Sequence, residues 1–300
     1  MRTYSTVSTG KHGGWDKPGE FNGKIVVISG ASRGIGRGIA LAFAREGAQT
    51  VLASSSEQNL AAAAEAVAAE GPQSLTVAGD LRKLEACEQL FNRVNERFQR
   101  CDVLVNNAGA TRAGAFLELP DAVWLDGFAL KFFGCVRLTR LFWPLLKASQ
   151  GSVINIVGGA ARTPDAEFLI GGSVNAAVAN FSKGLSRLGN RDNVNVNVIH
   201  PGNTDTERQE ELRRQRAAAL GRTVDELRAE ALTKSNARRF GKPEDVAALA
   251  LFLCSERARH VQGTAIDRDG GTTPGHYIDG VHIFECQRGG TCARARRLVS

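Results

Sequence analysis

Residues 24–41 read KIVVISGASRGIGRGIAL, and the three parts of this stretch decide the fold. Ile25 to Ser29 form a short β-branched apolar run, Gly30 to Gly36 a glycine-rich turn, and Ile39 to Phe43 open an apolar pattern at helical spacing. Strand, turn and helix in that order predict a site for an anion. Gly30 makes the tight turn, Gly34 lets a pyrophosphate approach the backbone, and Gly36 lets the helix pack close to the strand, with Ser32 and Ile35 on the same turn. The pyrophosphate would rest on the helix N-terminus, where unpaired N–H groups and the helix dipole favour negative charge.

Outward from that unit, strand and helix patterns alternate. Strands are expected at Gln49–Ala53, Ser74–Ala78, Asp102–Asn106, Ser152–Val157, Val194–Ile199 and Thr264–Asp267. Helices are expected at Glu57–Glu70, Leu84–Phe98, Asp121–Lys147 as one long element, Ser173–Gly189 and Pro243–Cys254. The alternation predicts an α/β fold, a doubly wound, mostly parallel Rossmann-type sheet in a single domain. Residues 22–272 make that domain. Residues 1–21 are polar and glycine-rich and read as an N-terminal arm, and 273–300 lack periodicity and read as an irregular tail. The Arg-, Glu- and Ala-rich segment 203–242 reads as one or two helices, either a lid over a cleft or a surface hairpin.

Composition narrows the class. A chain of 300 residues with 43% hydrophobic composition can bury a full core. Six cysteines, Cys87, Cys101, Cys135, Cys254, Cys286 and Cys292, have no paired metal spacing; they read as reduced thiols of a cytoplasmic protein, and no metal site is expected. The net charge of +7 comes without interleaved aromatics, which argues against nucleic acid and leaves attraction of a phosphorylated cofactor or an acidic substrate. No apolar run reaches the ~18 residues a bilayer requires.

A resemblance joins these readings. SGASRGIG, then NNAG at Asn106 to Gly109, HPGNTDT at His200 to Thr206, RRFGKPEDVA at Arg238 to Ala247 and QGTAIDRDGG at Gln262 to Gly271 resemble the short-chain dehydrogenase/reductase family in order and spacing. The resemblance implies a nicotinamide dinucleotide cofactor, a small-molecule substrate, and a homodimer or homotetramer built on the long helix and the one after it. It also implies contacts residue by residue. Asp80 and Leu81 would flank the adenine, with a plain helix N-cap as the alternative for Asp80. Asn107, Ala108 and Gly109 would meet the adenosine ribose, and Pro201, Gly202, Thr204 and Thr206 the nicotinamide carboxamide.

The choice of dinucleotide turns on the end of the second strand. Leu52 to Ser56 read LASSS, without the carboxylate that would bind the ribose hydroxyls of NAD and repel a 2′-phosphate. Arg33 has a guanidinium fork suited to phosphate, and Ser54 and Ser55 can donate hydrogen bonds, so NADP is favoured over NAD.

The family's Asn, Ser, Tyr and Lys are the departure. The resemblance places Lys131 at the asparagine position, Gly158 at the serine, Gly171 at the tyrosine and Asn175 at the lysine. Glycine has no side chain and an amide does not titrate. Three candidates remain for catalysis. Lys131, partly desolvated, could donate a proton, or it could face solvent or a ribose; Asn175 stands in the lysine's place; His200 could titrate near neutrality or be structural at a strand end. Asp165 and Glu167 could line a substrate pocket or belong to an ordinary charged loop. The expected function is an NADP-dependent oxidoreductase with a non-standard proton donor, acting on a carbonyl, alcohol or activated alkene; the alternative is an inactive NADP-binding relative.

Overall fold

The strand β1 (Ile25–Ser29) is buried along its whole length. Val26 and Ile28 join a core with Phe43, Leu60 and Val246 on one face, and Ile25 and Val27 join another with Leu90, Phe142 and Val196 on the other. Side chains alternate across a strand, so a parallel strand covered on both faces must be apolar at every position. That is why its sequence shows a run and not an alternation.

The computed structural model describes residues 19–235 and 237–273. Among them, β1 is followed by β2 (Gln49–Ser54), β3 (Leu75–Ala78), β4 (Val103–Asn106), β5 (Ser152–Ile156), β6 (Asn195–Pro201) and β7 (Ala265–Arg268). They form one sheet in the order β3-β2-β1-β4-β5-β6-β7, every pair parallel. The helices are α1 (Gly34–Arg45), α2 (Glu57–Ala68), α3 (Leu84–Phe98), α4 (Asp121–Phe128), α5 (Gly134–Ser149), α6 (Leu169–Asp192), α7 (Glu207–Leu220), α8 (Val224–Ser235) and α9 (Pro243–Cys254). Core residues of α1, α2 and α9 cover one face, those of α3 and α5 the other, and α6 packs beside α5 through Val178 against Cys135 and Val198. The expected doubly wound α/β architecture is therefore present. The N-terminal arm lies outside the described residues up to position 18, as do the tail beyond 273 and Cys286 and Cys292 in it. The other four cysteines are free thiols.

Three elements differ from expectation. The long helix over 121–147 is interrupted by a π-helical turn at Ala129–Phe133, between α4 and α5. Helix α6 starts at Leu169, so Gly171 and Gly172 lie inside it rather than ahead of it. Strand β6 runs on to Pro201 because His200 and Pro201 pair with Asp267 and Arg268 of β7. The extension of β6 is set by a strand far along the chain, which local periodicity does not report.

The amino ends of β1 and β4 are pinned by one buried carboxylate. Asp102, 5% exposed, accepts the Ile25 N–H at 2.9 Å and two bonds from Arg100 at 2.8 and 2.7 Å, with the Lys24 ammonium at 3.4 Å. Burial by itself raises the Asp102 pKa, but the Arg100 and Ile25 donors and the nearby charges outweigh it and hold the carboxyl below its ordinary value. A carboxylate with a depressed folded pKa stabilises above its unfolded pKa of about 4, and that contribution is lost as pH falls through the folded value. Asp102→Ala is expected to cost about 2 kcal/mol at pH 7, since it strands a buried N–H and removes charge-assisted bonds. Urea unfolding of both proteins from pH 7 down to pH 3 should show the difference shrinking at the acid end.

Candidate active site and cofactor cleft

The sheet order reverses direction between β1 and β4, and the carboxyl ends of two such strands diverge to leave a crevice. A cleft of about 440 Å³ opens there, lined by the glycine turn, the segment after β4, Lys131 and the start of α7. Of the residues predicted to bind a dinucleotide, Gly30, Ser32, Arg33, Gly34, Ile35, Ser54, Ser55, Asp80, Leu81, Asn107, Ala108, Gly109, Pro201 and Thr206 all border it.

The turn is held by its neighbours rather than by its own bonds. Asn107 donates its side-chain amide to the carbonyls of Ser29 at 3.2 Å and Gly30 at 3.0 Å, while the Ser29 hydroxyl accepts the N–H groups of Asn107 and Ala108 at 3.0 and 3.1 Å. Gly30 and Gly34 have φ of 65° and 56°, a left-handed backbone that favours glycine. A Cβ at Gly36 would stand 2.2 Å from the Gly30 oxygen. The Ser32 and Ser54 hydroxyls meet at 3.0 Å, which ties the turn to the end of β2. Arg33, at the N-cap of α1, makes no side-chain cap. The Gly34 N–H instead donates to the Glu207 carboxylate at 3.1 Å.

Lys131 sits at the centre of the π-helical turn. Such a turn inserts an extra residue into a helix and is frequent at functional sites. The lysine stem packs on Gly109, where a Cβ would come within 3.0 Å of Lys131 Cδ. Among the described residues its ammonium has no carboxylate partner within ion-pair distance. Desolvation by burial, with help from the Arg208 guanidinium and against the neighbouring Cys135, lowers its pKa to about 8. The Cys135 thiol itself is pushed up by burial to about 12 and stays protonated.

The next three positions form one clamp. Asn175, 3% exposed in α6, accepts the Gly158 N–H at 2.7 Å and donates to the Gly171 carbonyl at 2.7 Å. A Cβ at Gly171 would lie 2.0 Å from a carbon of the Phe168 ring, so that ring fills the space a side chain at 171 would enter. Gly171→Tyr is accordingly expected to destabilise the fold by about 2–3 kcal/mol, as overpacking does, and Gly171→Tyr with Phe168→Ala to recover most of it. Thermal unfolding of the single and double variants checks this.

The family model described as enoyl-(acyl carrier protein) reductase matches residues 30–273. The chain belongs to the short-chain dehydrogenase/reductase family. It is 35% identical over 252 residues to an uncharacterised oxidoreductase of Mycobacterium tuberculosis, covering 83% of this chain and 92% of that protein. Its fold is similar to L-sorbose reductase from Gluconobacter frateurii, solved with NADPH and L-sorbose, with a TM-score of 0.83, 32% identity, and coverage of 87% of this chain and 100% of that one. It is also similar to YwfH, an NADPH-dependent reductase involved in bacilysin biosynthesis, with a TM-score of 0.79, 27% identity, and coverage of 85% and 100%.

Within this short-chain dehydrogenase/reductase fold His200, Gly36, Gly202, Thr204, Asp165 and Glu167 do not border the cleft. His200, 1% exposed, donates Nδ1–H to the Val157 carbonyl at 2.8 Å, leaves Nε2 buried without a partner, and is held below its ordinary pKa mainly by desolvation. Gly36 packs under the turn. Gly202 is pressed against Asp269, and Thr204 bonds the Gly202 carbonyl at 3.0 Å, so both shape the loop after β6 rather than border the cleft. Asp165 and Glu167 are exposed, and Asp165 caps a short turn by accepting the Glu167 N–H at 2.9 Å. Asp80 accepts the Arg82 N–H at 3.1 Å, but the N-cap of α3 is Lys83. Sequence reasoning missed Arg82, Glu207 and Arg208 on the cleft wall. An alternating Arg/Glu helix carries no signal for which of its turns reaches a loop some 170 residues away.

Proposed function

We propose that this chain is an NADP-dependent oxidoreductase that reduces a carbonyl or activated alkene, or oxidises the corresponding alcohol, with Lys131 as its proton donor. The observation that carries the reading is a desolvated, carboxylate-free lysine on the wall of the cleft that begins at the glycine turn. The residues fit a phosphorylated dinucleotide. Gly30 and Gly34 supply a left-handed turn without side chains of its own, Arg33 at the N-cap of α1 makes no side-chain cap, β2 ends without an acid, and Arg33 offers a guanidinium at the rim. Two of the similar structures are of NADPH-using reductases, which supports NADP here. The description of the matching family as an enoyl reductase supports including activated alkenes.

When bound, the dinucleotide supplies or accepts a hydride at the reacting carbon. The protein's part is to place the substrate and manage one proton. Lys131, as the ammonium, donates a proton to the oxygen or carbon that gains negative charge, and as the free amine it takes the proton back in oxidation. Asn175 and Phe168 fill the positions that the family's lysine and tyrosine would occupy, and Lys131 is the desolvated lysine on the cleft wall that takes up the task. Self-association through the outer faces of α5 and α6 belongs to the same proposal, with Phe133 exposed just ahead of α5.

The test is calorimetric titration with NADPH, NADP and NADH, followed by a carbonyl and enone panel. NADPH should bind far better than NADH, and Arg33→Ala should weaken NADPH by about 10- to 100-fold, as loss of a charged hydrogen bond implies, while leaving NADH nearly unchanged. A second reading is favoured by the Asn175 clamp, which satisfies the polar atoms at Gly158 and Gly171 without any titratable group. On it, the protein binds NADP as a catalytically inactive relative, and the panel shows binding without turnover.

A further inference from the structure

The first turn of α7 lies directly on the glycine turn. The Glu207 Oε2 accepts the Gly34 N–H at the N-terminus of α1, and its other oxygen pairs with Arg37. One turn on, the Glu211 carboxylate stands 3.4 Å from the Arg33 guanidinium. The Thr206 methyl packs where a Gly34 side chain would point, and Arg208 donates to the Gly109 carbonyl at 3.5 Å. Little else holds this helix. Its one buried residue is Ala217, and its remaining ties are the Arg213 guanidinium over the Phe240 ring, 4.3 Å from the centroid, and ion pairs such as Arg213 with Asp205 at 2.8 Å and Arg228 with Glu210 at 3.3 Å.

A carboxylate at an uncapped helix N-terminus meets the same N–H groups and dipole that a phosphate would. Gly34 and Arg33 cannot serve the two carboxylates and a dinucleotide's phosphates together. We propose that Glu207 and Glu211 act as a built-in stand-in for the cofactor phosphates, so that dinucleotide binding displaces them and releases the first turn of α7. The inference rests on the NADP reading of the cleft. It makes α7 a latch whose release is driven by the charge of the ligand, because a neutral molecule in the cleft would leave both carboxylates in place. An apolar lid would be indifferent to that charge, whereas a lid held by ion pairs is not.

The experiment compares wild type with Glu207→Gln, Glu211→Gln and the double variant, each checked by circular dichroism. The double variant should bind NADPH and inorganic pyrophosphate about tenfold more tightly, since neither ligand then competes with a carboxylate. In trypsin digests, NADPH should speed cleavage after Arg213 and Arg214 in wild type, and the double variant should be cut rapidly with no ligand. A change in NADPH affinity below twofold, or equal ligand-free cleavage of the two proteins, would overturn the latch. If no dinucleotide binds either protein, the NADP reading falls by itself, and the ligand-free cleavage rates still decide whether the carboxylates hold α7 down.

Discussion

Lys131→Met is expected to lower kcat/KM for reduction by about 10²- to 10⁴-fold, the range for loss of a positioned general acid, while raising the stability of the fold at neutral pH. Both effects come from the same desolvated ammonium. With its pKa lowered to about 8, the side chain is mostly protonated at pH 7 and can donate, and kcat/KM of the wild type should fall as pH rises through about 8. The stability sign is opposite to that of a paired lysine. Below pH 8 both folded and unfolded chains carry the proton, and the folded state bears the cost of a half-buried, partly desolvated charge. Between about 8 and the unfolded value near 10.4 the unfolded chain binds more protons, so stability rises with pH. Replacing the ammonium with an apolar side chain of similar length removes that cost, on the order of 2 kcal/mol at pH 7. Urea unfolding from pH 7 to 10 should show wild type gaining on the variant. A variant with full activity would contradict the proton-donor assignment, and one that is less stable at pH 7 would contradict the desolvation cost.

The second large effect is expected at Gly36. An alanine Cβ there would stand 2.2 Å from the Gly30 oxygen and 2.6 Å from the Asn107 side-chain amide. Neither neighbour is a flexible tip. The carbonyl belongs to the turn itself, and the Asn107 amide is fixed by bonds to Ser29 and Gly30. Relief requires α1 to move off β1, which breaks the turn and the core beneath it where Ile39 and Phe43 are fully buried. Gly36→Ala should therefore cost about 3 kcal/mol, the upper part of the range for overpacking, and abolish dinucleotide binding. Gly184→Ala in α6 is the internal control. Nothing lies within 4 Å of its Cβ and the backbone is helical, so the same substitution should stabilise by up to about 1 kcal/mol. Chemical denaturation of the two variants must give opposite signs if close packing, and not glycine content, governs the turn.

The helix boundaries show how far local reading extends. Helices α3 and α9 run over the expected residues, Leu84–Phe98 and Pro243–Cys254, because their limits are written in adjacent residues. In α9, Pro243 opens the first turn and Asp245 bonds back to the Lys242 N–H at 2.8 Å. The helix over 121–147 was legible as a helix but not as one broken by a π-helical turn, since an apolar spacing that mixes threes and fours is common to both. The glycine turn after β1 was legible because its glycines serve backbone geometry within a few residues, whereas the segment after β4 was legible only through the family resemblance, since the Asn107 amide bonds Ser29 and Gly30 from another strand.

By itself, then, the sequence determined a doubly wound, mostly parallel α/β sheet and the identity of the turn that faces the cleft. These follow from which residues are buried on both faces and which must be glycine, and both are conditions on neighbours in the chain. Only the tertiary structure decided that Lys131 is desolvated against Gly109, that Phe168 fills the space beside Gly171, that Asn175 clamps Gly158, and that Glu207 reaches Gly34. Each is a meeting of side chain and backbone across a fold, fixed to a few tenths of an ångström by close packing. Periodicity records that a residue is buried or exposed, but not what it touches.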